Sequence, residues 1–244
     1  MKSLTINNFS ELPFDVAEAV NQLRVNLSFT DANIKKIVVT SSIPNEGKSF
    51  LALCLWRAMA QTGKKVLFVD CDLRLSEIKD IYDIQTSDAF FGIAHVLSGQ
   101  CAVQDVMYKT NIPNAYMIPS ANAVSNPSTL LESDHFREVL DQVADVFDYV
   151  IIDTPPIGTV ADALTIGKVA DGNILVVRSG YTKKVLVRDT IERLKVTNQP
   201  LLGIVLNRVD VSRNSSYYYK GYGDYYGNYD PDKQKKKKKA KIGR

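Results

Sequence analysis

The stretch that most restricts this chain runs from Ile37 to about Gln61. A β-branched run, Ile37-Val38-Val39-Thr40, leads into Ser42-Ile43-Pro44-Asn45-Glu46-Gly47-Lys48-Ser49, and an apolar segment with helical period follows from Ser49. A phosphate-binding loop needs that strand-loop-helix setting. Backbone N–H groups of such a loop, with the first turn of the helix, point at a β-phosphate. Lys48 adds a point charge near the β/γ bridge, and the Ser49 hydroxyl is the type of ligand that Mg²⁺ takes. Ser42 stands where the first glycine of the loop usually lies, so its Cβ requires that this residue avoid positive φ. The plainer reading of the segment is a capped helix alone.

Short β-branched runs alternate with helical periods along the chain, the pattern of parallel strands covered on both faces. The runs Ile37–Thr40, Val66–Asp70, Tyr149–Asp153, Ile174–Val177 and Gly203–Leu206 predict strands. Ser49–Gln61, Thr129–Val146 and Lys183–Val196 predict helices, with Asn126 and Pro127 as cap and first-turn proline of the second. At the N-terminus Val16, Val20, Leu23 and Leu27 form one apolar stripe of an amphipathic helix, leaving Glu18, Asn21 and Arg24 opposite. The expected fold is α/β: a doubly wound, mostly parallel sheet with a P-loop NTPase core, an N-terminal helix and a disordered tyrosine-rich tail. Expected boundaries are 1–35 for the helical segment, 36–210 for the core and 211–244 for the tail.

Two acidic clusters end strands, and parallel strands present their carboxyl ends on one edge of the sheet. Asp153 closes Tyr149-Val150-Ile151-Ile152 and precedes Thr154-Pro155-Pro156, the form of a strand whose aspartate holds Mg²⁺ directly or through water. Asp70 and Asp72 end Val69-Asp70-Cys71-Asp72-Leu73-Arg74. An ordinary nucleotide hydrolase needs one such aspartate. Transfer of a phosphoryl group to a hydroxyl also calls for a carboxylate that accepts the proton, and the second pair supplies one. Turn residues after a strand are the bland alternative.

Seven of the 12 tyrosines are packed between Tyr217 and Tyr229, among lysine, glycine, aspartate and asparagine and with no Val, Ile or Leu. Such a segment cannot bury itself, so it is an adhesive aromatic arm or a set of accessible phenols. Residues 217–244 carry nine Lys and Arg against three Asp, a net of +6, which leaves the first 216 residues at −3. Cys54, Cys71 and Cys101 lack disulfide or zinc spacing, which fits a cytoplasmic setting. No apolar run reaches the roughly 18 to 20 residues of a membrane span. Membrane contact would come through a partner or through Lys235–Lys239, whose other readings are a solvated end and a nucleic-acid contact; without a folded basic face, no nucleic-acid partner is expected.

Taken together, the P-loop, the D-x-D-x-R sequence, the I-I-D-T-P-P strand and the terminal tyrosines resemble the bacterial tyrosine kinases of capsular and exopolysaccharide synthesis in their soluble cytoplasmic form. Ile118-Pro119-Ser120 to Asn126-Pro127-Ser128 is similar to the link into a leucine-containing helix in that family. The resemblance implies an ATP- and Mg²⁺-dependent kinase acting on its own tail. It places Ser42, Asn45, Glu46, Gly47, Lys48, Ser49 and Phe50 on the nucleotide, with Asn207 and Arg208 at the adenine. Lys48, Asp70, Asp72 and Asp153 become catalytic, with Ser49, Asp72 and Asp153 on the metal and Asp72 as the base. Arg74 is expected to orient an aspartate or meet a phosphate, against an ordinary surface ion pair. The acceptors would be Tyr217, Tyr218, Tyr219, Tyr222, Tyr225, Tyr226 and Tyr229. Implied partners are the cytoplasmic segment of a transmembrane chain-length protein, which recruits the kinase to the inner face of the plasma membrane, a cognate phosphatase, and further copies of the chain in a ring.

Two departures bear on those expectations. The family's helix-borne glutamate and two arginines correspond here to Glu18, Asn21 and Arg24, and an amide cannot make the bidentate ion pair of the missing arginine. Leu75 and Ser76 replace the proline common after D-x-D-x-R, which predicts a different local turn. The tail starts about ten residues past the last expected strand, a reach of at most roughly 35 Å. Several tyrosines must pass through one site, which favours transfer between subunits. Each phosphate adds about −1.5 to −2 charges, so modification would reverse the sign of the tail. Other readings of the same motifs are a partition-type ATPase switch and a non-catalytic ATP-binding scaffold of an export complex.

Overall fold

The computed structural model describes residues 2–121, 124 and 126–210; the tail expectations, from 211 to 244 and including all seven clustered tyrosines and Lys235–Lys239, lie outside the described residues. Residues 1–207 form one unit and 208–244 a second, described only over Arg208–Asp210.

In chain order the strands are β1 (Lys2–Ser3), β2 (Thr5–Ile6), β3 (Lys36–Ser41), β4 (Val66–Asp70), β5 (Ile84–Gln85), β6 (Tyr108–Lys109), β7 (Ala115–Ile118), β8 (Tyr149–Asp153), β9 (Gly172–Arg178) and β10 (Leu201–Asn207). The helices are α1 (Phe14–Ser28), α2 (Lys48–Ala60), α3 (Ile78–Ile81), α4 (Ile93–Leu97), α5 (Val103–Val106), α6 (Pro127–Leu131), α7 (Asp134–Val146), α8 (Asp162–Gly167) and α9 (Lys184–Leu194). Eight strands form one sheet in the order β1-β6-β7-β4-β8-β3-β9-β10, while β2 and β5 pair separately. Every neighbouring pair in the large sheet is parallel except β6 with β7.

Alternation along the buried strands sends side chains to two cores. Val38, Leu67, Val69, Val150 and Ile152 pack with Phe136, Val139, Leu140 and Val143 of α7. Ile37, Val39, Val66, Phe68 and Ile151 face Leu51, Leu55 and Trp56 of α2. Burial on both faces explains why these strands read as continuous apolar runs rather than as alternating ones. A third, smaller cluster joins Leu175 and Val177 of β9 to Leu194 of α9.

The expected helix Thr129–Val146 is broken. It divides into α6 and α7 because the Ser133 hydroxyl accepts a hydrogen bond from Phe136 N–H and opens a new helix. A serine that satisfies an orphan N–H stabilises such a start by about 1 kcal/mol. Asn126 does occupy the cap position before Pro127, without a side-chain capping bond. The short strands β1, β2, β5, β6 and β7 were not expected, since two- to four-residue strands carry almost no periodic signal. On α1, Val20 and Leu27 are buried and Leu23 packs against the α2-side core, whereas Val16 is only half-buried.

Candidate nucleotide and phosphoryl-transfer site

The site lies at the carboxyl ends of β3, β4, β8 and β9. Residues 42–47 connect β3 to α2, with Asn45 (φ 64°) and Gly47 (φ 88°) both left-handed. Asparagine tolerates that region and glycine favours it. Gly47 has a second reason to be glycine, because a Cβ there would stand 2.2 Å from Asn207 Nδ2. Asn207, ending β10, donates from that nitrogen to the Glu46 carbonyl at 2.8 Å. Ser42 is not among the residues with positive φ, so its Cβ is accommodated, and its buried hydroxyl lies 3.0 Å from that of Thr190. The Ser42 carbonyl accepts from Gly158 N–H at 2.9 Å, and a Cβ on Gly158 would lie 2.3 Å from that oxygen. The loop after β8 is thereby laid directly on the P-loop.

The acidic side is built locally. Asp70 Oδ1 accepts from Asp72 N–H at 3.1 Å, Asp72 Oδ1 accepts from Leu75 N–H at 3.1 Å, and the Ser76 hydroxyl donates to Asp70 Oδ2. Register sets Asp70 beside Asp153 across β4 and β8. Between the two sides, Lys48 Nζ is 3.6 Å from Asp72 Oδ2 and 3.1 Å from the Ser49 hydroxyl. Burial alone would lower the affinity of Lys48 for its proton, but Asp153, Asp72 and Asp70 more than offset it and raise its pKa.

Asp153 is 1% exposed, and neither carboxylate oxygen has a hydrogen-bond partner of normal geometry. Burial pushes its pKa up; the Lys48 charge opposes that most, and the nearby Ser49 hydroxyl does so without completing a regular bond. Asp70 is pushed up to about 7, chiefly by burial and then by Asp153. A buried carboxylate without a donor is costly unless a cation meets it. Among the described residues no three His, Cys, Asp or Glu side chains converge as a ready-made metal cage. Hard oxygen donors from one or two carboxylates and a hydroxyl, completed by water and phosphate, are what Mg²⁺ accepts, so Ser49, Asp72 and Asp153 fit that ion.

The structure therefore brings Ser42, Asn45, Glu46, Gly47, Lys48, Ser49, Asp70, Asp72, Asp153 and Asn207 to one sheet edge. Phe50 follows Ser49 on the first turn of α2, 37% exposed. Arg208 directly follows β10 with φ 54°. Arg74 does meet an aspartate, but it is Asp162 rather than one of the carboxylates around Lys48. Its guanidinium grips the buried Asp162, Nε to Oδ2 at 2.7 Å and Nη2 to Oδ1 at 3.0 Å, and also donates to the Ser128 hydroxyl at 2.9 Å. On α1, Arg24 donates to Asn21 Oδ1 at 2.6 Å, so within the chain it is engaged by the residue that replaces the missing arginine. Sequence reading missed Gly158, Asp162, Thr182 and Thr190. Gly158 carried a faint signal, a glycine five residues past the strand-ending aspartate; the others are ordinary first-turn or surface residue types.

Residues 20–197 match the AAA domain family. The tyrosine-protein kinase CpsD of Streptococcus agalactiae is 34% identical over 220 residues, covering 90% of this chain and 92% of CpsD. Among solved structures, the chimerical protein CapA2B2 aligns with a TM-score of 0.76 at 33% identity, over 84% of this chain and 92% of that one. The kinase domain of the Escherichia coli tyrosine kinase ETK gives 0.72 at 28% identity, over 80% and 77%.

Proposed function

The chain belongs to the bacterial tyrosine-protein kinases, and from that premise we propose that it transfers the γ-phosphoryl group of ATP to the tyrosines of its own C-terminal cluster. The observation that carries the reading is the buried, unpartnered carboxylate of Asp153 beside Lys48, 3.6 Å from which lies a second carboxylate, Asp72. The loop amides and Lys48 hold the phosphates, and Ser49, Asp72 and Asp153 would hold Mg²⁺. When bound, the ion supplies charge neutralisation at the phosphates. In this reading Asp72 is the base that takes the phenolic proton. The tyrosine oxygen forms its bond to phosphorus, the bond to the departing ADP oxygen breaks, and the proton passes to an Asp72 oxygen. A free phenol has pKa about 10 and a free carboxyl about 4, so transfer occurs late, in a loose transition state whose charge Lys48 helps carry.

The acceptors in this reading are Tyr217, Tyr218, Tyr219, Tyr222, Tyr225, Tyr226 and Tyr229, presented by one subunit to another. The cytoplasmic segment of a membrane-bound chain-length protein serves as activator and anchor at the inner face of the plasma membrane, and a cognate phosphatase resets the tail. The activity regulates polysaccharide synthesis and export. Among the described residues no helix is long and apolar enough to cross a membrane, which is compatible with recruitment by a partner.

Incubation of the full chain with Mg-ATP and the activator segment, followed by phosphotyrosine mapping by mass spectrometry, tests the proposal. Phosphate on residues 217–229 that disappears in Lys48→Met is expected. ADP release without phosphotyrosine would replace the kinase with an ATPase switch, and nucleotide binding without either product would leave a scaffold.

A further inference from the structure

Glu46 is the one acidic residue of the P-loop, and its side chain does not face the phosphate cradle. It is 1% exposed. Oε2 accepts from Ile43 N–H at 2.8 Å, inside the loop. Oε1 accepts from Arg178 N–H at 3.0 Å and from the Thr182 hydroxyl, both at the β9–α9 junction. The Glu46 carbonyl meanwhile receives Asn207 from β10. One buried carboxylate thus bridges the loop to two residues of a junction more than 130 positions away, and its backbone sits between the left-handed Asn45 and Gly47. A loop held in two left-handed conformations needs such over-determination to keep a single shape.

We infer that Glu46 is a positioning residue for nucleotide: its carboxylate, through Ile43 N–H, Arg178 N–H and Thr182 Oγ1, fixes the curvature that aims the P-loop amides at phosphate. The inference rests on the nucleotide-binding part of the proposed function and adds to it a role for a side chain that touches no phosphate. Two acceptor oxygens suit the arrangement, and a carboxyl group offers them. Three donors converge on two oxygens, whereas a glutamine offers one acceptor oxygen and one N–H₂. With the amide oxygen toward Arg178 and Thr182, the nitrogen would face the Ile43 N–H; turned over, it would face the Arg178 N–H. Either way one buried backbone donor loses its acceptor and the loop must shift.

Thr182 gives the sharper test, since valine preserves its shape and serine preserves its hydroxyl. Affinity for a fluorescent ADP analogue, titrated directly into the full chain with Mg²⁺, reads the effect without requiring phosphotransfer. Glu46→Gln is expected to weaken binding about tenfold or more, the loss of a bond to a charged group. Thr182→Val should weaken it about threefold, and Thr182→Ser should stay near the parent. At saturating Mg-ATP the transfer rate of these variants should recover more fully than their KM. Folding is checked by the melting temperature of each nucleotide-free variant. A folded Glu46→Gln that binds within twofold of the parent overturns the inference; if that variant does not fold, serine binding more weakly than valine, or valine binding like the parent, does the same. A parent chain that binds no nucleotide would remove the inference and the proposed function together, whereas normal binding without transfer to tyrosine would remove only the kinase chemistry.

Discussion

The two arms that close on Lys48 are held in different ways. Besides the bond from Ile43 N–H to Glu46, three positions apart, side-chain bonds that fix the P-loop join residues 132, 136, 148 and 161 positions apart: Glu46 with Arg178, Glu46 with Thr182, Ser42 with Thr190, and Glu46 with Asn207. Bonds among the carboxylates, amides and hydroxyl of the Asp70–Ser76 turn span 2, 3 and 6 positions, and Arg74 reaches out of it to Ser128 and Asp162, 54 and 88 positions away. The P-loop curvature therefore depends mostly on the assembled sheet, whereas the carboxylates of the acidic turn are oriented mostly by their sequence neighbours. Changes to the carboxylates of the acidic arm should alter chemistry and charge first; changes in the P-loop arm should reach phosphate affinity from a distance.

Asp153 touches both arms electrostatically and gives the largest effect. Asp153→Asn should reduce phosphotransfer about 1,000-fold, the scale seen when a transition-state charge stabiliser is lost. It should also raise the melting temperature of the nucleotide-free chain, because it removes a buried charge that lacks a protein donor. Labelled-phosphate transfer and calorimetry check the two halves. A large fall in melting temperature would mean that Asp153 supports the fold as well, and the division between chemistry and architecture would fail.

A pH series tests the acidic arm next. The Asp70 carboxyl is raised from 3.8 to about 7 by burial and by Asp153. Between those values the folded chain binds more protons than the unfolded chain, so its stability falls as pH rises from about 4 to about 7. The shift corresponds to up to about 4 kcal/mol. Urea midpoints of the chain without metal or nucleotide should show that fall, and Asp70→Asn should flatten it. An unchanged slope in the variant would assign the fall to other carboxyls.

Arg74 ties the otherwise local acidic turn to α8. Arg74→Ala leaves Asp162, 2% exposed, without its ion partner while the Ser128 hydroxyl still donates to it. Removing one member of such a pair from a half-exposed position should destabilise by about 2 kcal/mol in urea unfolding. Asp162→Asn, which keeps the shape, should be milder. Equal losses in both variants would point to packing of the guanidinium rather than to its charge.

The sequence made the sheet legible wherever strands are buried on both faces: Val66–Asp70 and Tyr149–Asp153 match β4 and β8 residue for residue. It also marked Lys48, Asp72 and Asp153 as candidates, which the structure brings together, because each lies at or soon after the carboxyl end of a strand. It did not announce that Arg74 serves Asp162. Both belong to residue types that usually sit on the surface, and their partnership exists only after α8 docks beside the β4 turn. Glu46 was read as part of a phosphate cradle through its backbone, while its side chain points the other way, towards Thr182. Contacts across such separations leave no local pattern. The break between α6 and α7 was hidden for the opposite reason: Ser133 is a purely local cap inside a segment whose apolar period reads on through it.

The smallest expected effect is also the cleanest probe of long-range support. Thr190 lies on α9, 3% exposed, and its hydroxyl donates to the Leu186 carbonyl at 2.8 Å while standing 3.0 Å from that of Ser42. Thr190→Val keeps the volume and deletes the link between α9 and the start of the P-loop, for about 1 kcal/mol. Ser42→Ala deletes the same link from the other side. If the loop is held by tertiary bonds, the double variant should lose little more than either single one, a coupling of about 0.5 to 1 kcal/mol in urea unfolding. Strict additivity would show that the two hydroxyls act independently, and that the P-loop is at this point no more dependent on the distant helix than the acidic turn is.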